Sequence, residues 1–506
     1  MEIEPVMTQR STSPIAVLLT ASIGCAMTVL DTNVVAVVLP SVARDLGASF
    51  AEIEWVISTY VLCFASLLLP AGAVADRFGR RRVFLVGIGI FAITSLLCGI
   101  APSPRALYLA RALQGAGAAF LLAPALAIIG HSFHGEADRN RAWAIWGTIM
   151  GMTMVLSPVI GGLIAHVLGW RWAFHVNVPI CALLGLATFV LVADSRDADA
   201  RRIDPLGILL FAASMFGVTW GLITGQSHGW ISVSAMSGFI GGGLAFCAFV
   251  IVERTQLRPM LDLQLFLDPR FVGAVWAMFA YAACAQVMAS ILPLFFQNGL
   301  GRSALEAGFS MLPFALTMLV FPHVGRFLGR HLASPGILTL GLVLVGIGNA
   351  VTSWGAHTGA WPAIMTGMLV IGSGGGLLNG ETQKAIMSVV PHGRAGMASG
   401  ISTTARFSGI LLGFATLNGV LATVARRHLN PTGSAAPYGH TGDFADAVVA
   451  GDLSSAVARL AEPVQEIAMA QARHAFAAGF SAAMMVAAAV ALASSFAVHI
   501  LMRKAK

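Results

Sequence analysis

Apolar residues in this chain fall in long windows, each closed by a short cluster of Gly, Pro and charged positions. Windows of about 20 residues suit an α-helix that crosses ~30 Å of hydrocarbon. Fourteen can be drawn. The first six lie near 14–38, 54–74, 83–101, 105–130, 141–166 and 172–193. A pair follows near 205–224 and 231–252. The last six lie near 271–296, 305–325, 334–354, 361–388, 396–424 and 475–502. Residues 430–442 (NPTGSAAPYGHTG) have loop composition, and 443–473 is Ala-rich and partly amphipathic, which predicts one or two surface helices. The segment 425–474 therefore reads as an outer cap.

Composition strengthens this picture. Only 10% of the 506 residues are charged, against ~25% in ordinary soluble domains. A soluble chain of this length would form several domains, each with a charged exterior, and the charge to coat them is missing. The expected fold is an all-α integral membrane protein. The net charge of +7 does not point to nucleic acid. A nucleic-acid binder gathers its bases on one solvated face, whereas here they are scattered between windows. The six cysteines (25, 63, 98, 181, 247 and 284) all lie in apolar runs and read as small core residues, not disulfides or metal ligands. The start, MEIEPVMTQRSTSP, lacks the pattern of a signal peptide.

The basic residues orient the helices. With the N-terminus inside, the inner segments hold 19 Lys and Arg, among them Arg77, Arg80, Arg81, Arg82, Arg326, Arg330 and Arg503. The short outer loops hold four: Arg44, Arg105, Arg171 and Arg302. That asymmetry predicts cytoplasmic N- and C-termini. Three bases fall inside predicted helices: Arg111, Lys384 and Arg406.

Several local patterns carry mechanical meaning. Gly72-x3-Asp76-Arg77-x-Gly79-Arg80-Arg81-Arg82 places a tight turn, an acid and a basic cluster at the inner surface. The arginines suit anionic headgroups. Asp76 is placed to latch a neighbouring helix end, where the dipole favours a carboxylate. In helix 5, Gly147-x3-Gly151-x5-Ser157-Pro158-x2-Gly161-Gly162 combines small residues that allow close approach with a proline that permits a bend.

GAVADRFGRRR resembles the loop signature of the major facilitator superfamily of secondary transporters. LDTNVVAVVLP (Leu30–Pro40) resembles the helix 1 signature of its drug:proton antiporters. Arg111-Ala-Leu-Gln114-Gly115-Ala-Gly117 resembles the helix 4 motif, and the helix 5 pattern resembles that of exporters, with Ser157 where a Gly usually precedes the proline. WRWAFHVNVPI (Trp170–Ile180), with fourteen helices, points to the fourteen-helix branch. The second-half counterpart of the loop signature, Gly325-Arg326-Phe327-Leu328-Gly329-Arg330, lacks the acid, so a latch would be asymmetric.

The resemblance implies two pseudo-repeated six-helix bundles with an inserted helix pair. The domain expectation is a tail at 1–13, a bundle at 14–193 and a linker with helices 7 and 8 at 194–270. A second bundle at 271–502 includes the outer loop 425–474, and a tail at 503–506 ends the chain.

Charges within the helices are the sharpest functional clue, because each costs roughly 2.5–3.5 kcal/mol at the bilayer centre on insertion scales. Measured from Pro40, Asp31 lies about 13 Å deep, and Arg111 about 9 Å deep from Arg105, so an Asp31–Arg111 pair is plausible. Glu381, about 10 Å deep, shares a helical face with Lys384. Arg406, about 15 Å deep on the next helix, is offered as its second basic partner. A buried carboxylate beside a cation can exchange protons as its exposure alternates. Asp31, Glu381 or both are the proton-coupling candidates. Asn33, Gln286, Asn379 and Gln383 are substrate-cavity candidates, although an amide bonded to a neighbouring helix is the plainer reading.

No G-x4-G-K-[ST] or H-E-x-x-H occurs. Gly225-Gln226-Ser227-His228-Gly229 matches G-x-S-x-G only formally. The expectation is a non-enzymatic, proton-driven antiporter without cofactor or metal, in a bacterial cytoplasmic membrane and monomeric. It would export amphipathic or hydrophobic drugs, toxicants or natural products by alternating access. With two acids against three bases in the helices, neutral or zwitterionic substrates are as well supported as cations. An importer on the same fold, a membrane enzyme and a transport-dead sensor or scaffold are the alternatives.

Overall fold

The computed structural model describes residues 13–133, 136–196, 204–255, 263–389, 395–429, 444–445, 448, 453–458 and 462–503. Its described residues are helical, without strands, and fourteen helices are long and apolar enough to cross a membrane. They are α1 Pro14–Leu46, α2 Phe50–Phe78, α3 Arg80–Gly99, α4 Pro104–Ser132, α5 Glu136–Val167, α6 Trp172–Leu191, α7 Pro205–His228 and α8 Val233–Thr255. The rest are α9 Pro269–Gly299, α10 Ala304–Leu328, α11 Ser334–Thr358, α12 Trp361–Val389, α13 Ala395–Leu429 and α14 Glu462–Arg503.

Local chemistry explains where many of these helices start. Capping boxes, Ser49 with Glu52 and Ser303 with Glu306, open α2 and α10. Prolines in the first turn open α1, α4, α7, α9 and α11, where the missing N–H has no intrahelical partner to lose. Pro40 lies inside α1, which continues to Leu46 rather than ending at the proline. Asp31 is therefore 15 residues from the helix end, about 22 Å along its axis, and the shorter distance measured from Pro40 is corrected.

Packing is between α1 and α4, α5 and α6; α2 and α4; and α3 and α4 in the first half of the chain. In the second half, α11 packs on α12 and α14, α10 on α12, and α13 on α14. Helices α7 and α8 pack on each other through Gly217, Gly221, Gly238 and Gly242, and α7 also touches α2 and α13. Helix α9 contains two π turns, Ala282–Gln286 and Phe295–Gly299.

The outer cap differs from the expected outline. Helix α14 begins at Glu462, not near 475, and a short helix spans Leu453–Ala458. Leu429, Phe444, Val448, Leu453 and Val457 bury themselves against Ala468, Ala472 and Ala475 of α14. The Ala-rich stretch is thus the first turns of a membrane helix, held by a small hydrophobic core of its own. Residues 430–442, expected to be a loop, lie outside the described residues, as do the tail 1–12, Lys504 and Lys506.

Candidate functional site

Asp31 of α1 and Arg111 of α4 meet at 2.5 Å, both fully buried. A charge pair in this position needs its remaining lone pairs and protons satisfied as well, and the neighbours provide for this. Gln114 donates to Asp31 Oδ1 at 3.0 Å and to Ser95 Oγ at 2.7 Å. Asn177 of α6 donates to Asp31 Oδ1 at 3.1 Å. Arg111 also donates to Gln114 Oε1 at 2.7 Å and to the Val56 carbonyl of α2 at 3.3 Å. The Tyr60 ring lies 4.0 Å beneath the guanidinium, a cation–π contact. Five helices therefore converge on one ion pair.

Gln114, Asn177, Ser95 and Tyr60 are functional neighbours that charge-based reading passed over. Gln114 and Asn177 stand in quoted motifs. Ser95 and Tyr60 carry no comparable signal.

The second constellation is only partly assembled. Glu381 accepts from Lys384 Nζ at 3.1 Å and from Ser334 Oγ, in the first turn of α11, at 2.5 Å. Arg406 does not reach it. Its guanidinium donates to the Asn379 backbone carbonyl at 3.4 Å and lies 6.0 Å from the Tyr281 ring. The expected second partner of Glu381 is thus corrected: shared depth does not make two helices turn the same side chains toward each other. Lys384 is 62% exposed and is no buried base. Glu54, near the start of α2, and Glu253, near the end of α8, are buried as well. Asp204, in the linker, caps α7 at the Gly207 amide, and Glu253 lies against the same glycine.

The cavity candidates separate. Asn33 donates to Val29 O of its own helix at 3.0 Å. Gln383 accepts from Ser402, tying α12 to α13. Asn379 contributes its backbone to Arg406. Gln286 closes the first π turn of α9 and is hydrogen-bonded to the Tyr281 side chain.

At the loop signature, Asp76 receives Arg80 Nε and Nη2 at 2.9 and 2.8 Å, so its partner is one turn away on the following helix. Arg77 lies against Phe78. Gly72 is loosely packed, with Ala123 4.0 Å from a Cβ built there. Gly79 has φ +108°, and a Cβ on it would stand 2.5 Å from Asp194 Oδ1. Asp194 also pairs with Arg82 at 3.1 Å, while Arg80 N donates to Ser195 O. The segment that follows α6 is therefore docked on this turn, a contact absent from the motif itself.

The helix 5 pattern lies at the seam between the two halves. A Cβ on Gly161 would stand 3.1 Å from Val34 Cα of α1, and one on Gly162 2.5 Å from the Ala304 carbonyl oxygen of α10. Gly308 returns the contact, with the Pro158 carbonyl oxygen 2.4 Å from its notional Cβ. Gly151 faces Leu319, whereas Gly147 has open space. Ser157 Oγ bonds back to Thr153 O at 2.5 Å, one turn before the proline's bend. Gln297 of α9 adds a bond to Val37 O of α1 at 2.8 Å. These contacts run from mid-helix toward the end of the bundle opposite the chain termini. Among the described residues no group of three His, Cys, Asp or Glu is placed to hold a metal ion.

Residues 21–414 match the Major Facilitator Superfamily. The chain is 34% identical over 415 residues to the multidrug resistance protein Stp of Mycobacterium tuberculosis, covering 82% of this chain and 77% of that one. It is 35% identical over 418 residues to the cephamycin export protein CmcT of Amycolatopsis lactamdurans, covering 81% and 85%. With the multidrug efflux pump LfrA of Mycolicibacterium smegmatis it shares 30% identity over 475 residues, 94% of both chains. Its fold resembles a bacterial homologue of the human lysosomal transporter Spinster, solved inward-facing and occupied, with a TM-score of 0.67, 16% identity and 96% of both chains covered. With fourteen apolar helices and drug-efflux relatives over four-fifths of its length, the chain belongs to the Major Facilitator Superfamily of membrane transporters.

Proposed function

We propose that this protein is a proton-coupled antiporter that exports small amphipathic or hydrophobic compounds by alternating access. It would work in a bacterial cytoplasmic membrane with both termini inside, needing the proton gradient and no cofactor. The observation that carries the reading is the seam. Pro158 and Gly162 of α5 lie backbone to backbone against Gly308 and Ala304 of α10, on the side remote from the termini. A contact built from glycines can part and re-form without moving bulky side chains. Parting it while the opposite end closes would expose the interior to the other side. The family and the efflux relatives support export of drugs and antibiotics.

Asp31 and Glu381 are the proposed proton carriers, and their settings differ. Asp31 accepts from Arg111, Gln114 and Asn177, so a proton can join it only if that network loosens. Such loosening is what a change of state would provide. Glu381 stands beside an exposed lysine and exchanges with less rearrangement. In everted vesicles a proton gradient should drive substrate uptake, and ATP without a gradient should not. If Asp31→Asn and Glu381→Gln both leave proton-driven transport intact, these carriers are wrong.

A further inference from the structure

Arg406 has no carboxylate within 4.0 Å among the described residues. It lies about 16 Å along α13 from its inner end, deeper than the headgroups, so lipid phosphate does not neutralise it there. A cation held in a membrane helix without an acid is costly and normally has a partner or a task. Arg406 is only half-buried and so accessible. Tyr281, fully buried and hydrogen-bonded to Gln286, lies beside the guanidinium. These two residues bracket the π turn Ala282–Gln286 of α9, and such turns recur at functional sites because they re-aim side chains. The turn is pressed on α13: Cβ atoms on Gly409 and Gly413 would meet Phe279 O at 2.5 Å and Ala283 Cα at 2.7 Å. One residue on from Arg406, the Phe407 ring lies tilted against Phe64 of α2, centroids 4.3 Å apart, which places the group where the two halves meet.

We propose that Arg406 anchors a carboxylate on the exported compound. This rests on the exporter reading and narrows it: the preferred substrates are amphipathic acids, whose apolar body lies among the helices while the acid supplies the charge Arg406 lacks. Arginine suits this task because it stays charged at any working pH and its planar donors match a carboxylate.

The test uses full-length protein in detergent and two probes, a naphthyl-alkyl carboxylic acid and its methyl ester, with binding followed by naphthyl fluorescence anisotropy. The acid should bind about ten-fold or more tightly than the ester, the range of one charge-assisted bond. Arg406→Gln should abolish that preference while leaving ester affinity within about two-fold. Arg406→Lys should restore part of it. Equal binding of the two probes by the wild type, binding of neither, or an unchanged preference in Arg406→Gln overturns the proposal. Gel filtration confirms that each variant is folded. Flux in vesicles is a separate readout: acid-selective binding without gradient-driven transport would defeat the exporter reading and leave the anion site standing.

Discussion

Gly162 of α5 and Ala304 of α10 approach so closely that a Cβ on the glycine would stand 2.5 Å from the alanine carbonyl oxygen. Backbone on both sides leaves no flexible side chain to give way. Gly162→Ala should force the two helices apart and lower gradient-driven export at least about ten-fold, with the protein still folded and inserted. Gly147, in the same motif but facing open space, should tolerate alanine with export within about two-fold of wild type. Vesicle flux normalised to protein level compares them, and equal loss from both would show that the motif does not act through this contact.

The Asp31–Arg111 pair predicts an asymmetry in stability. Asp31→Asn leaves a buried guanidinium without its counter-charge, and breaking such a pair costs about 3–5 kcal/mol. The thermal midpoint of the purified protein should fall clearly. Adding Arg111→Gln should recover much of the loss, because an uncharged pair has less to desolvate. A double variant no more stable than Asp31→Asn would mean that hydrogen-bond geometry, not charge, holds the five helices.

Lys384 and Glu381 are bonded, yet their substitutions should differ in consequence. The lysine is mostly exposed, and surface pairs contribute about 0–1 kcal/mol. Lys384→Gln should therefore leave stability and transport nearly unchanged. Glu381→Gln replaces a carboxylate that also receives Ser334 across to α11, and should slow proton-driven flux. Parallel pH profiles of flux for the two variants check this; a profile shifted by Lys384→Gln alone would move the lysine into the coupling machinery.

Gly79 should resist any side chain for two separate reasons. Its φ of +108° strains L-residues, and Asp194 occupies the space a Cβ would take. Strain of this kind costs about 1–3 kcal/mol. Gly79→Ala should lower the thermal midpoint, and adding Asp194→Ala should return only the steric share. Full recovery in the double variant would assign the whole effect to Asp194.

The parts of the site legible in the sequence are those where physics leaves few options. A charge in an apolar window demands a partner, and Asp31 and Arg111 meet that demand in each other although they lie at different distances from their helix ends. Gln114 and Asn177 complete the pair but are neutral, so no cost singled them out. Glu381 and Lys384 share a helix, and their spacing fixes the contact. Arg406 sits on another helix, whose rotation about its axis is set by Gly409 and Gly413 against α9, and periodicity does not report that. The start of α14 was hidden for a related reason. Ala468, Ala472 and Ala475 are buried by the cap, so that stretch can be less apolar than the membrane-buried part of its helix.

The first π turn of α9 bears on what lengths of chain this fold accepts. Such a turn holds one residue more than an ordinary helical turn. Removing a single residue from Ala282–Gln286, Ala283 for instance, would let the helix close into regular α geometry. Everything downstream, including the Gln297 bond to Val37, would keep its facing. One residue could thus be dropped there at a cost confined to the turn, whereas the same deletion in a regular α turn of α9 would rotate the rest of the helix by about 100°, one residue's share of a 3.6-residue turn. The turn is a spare unit of length in the most buried span of the protein, placed beside the arginine that lacks an acid.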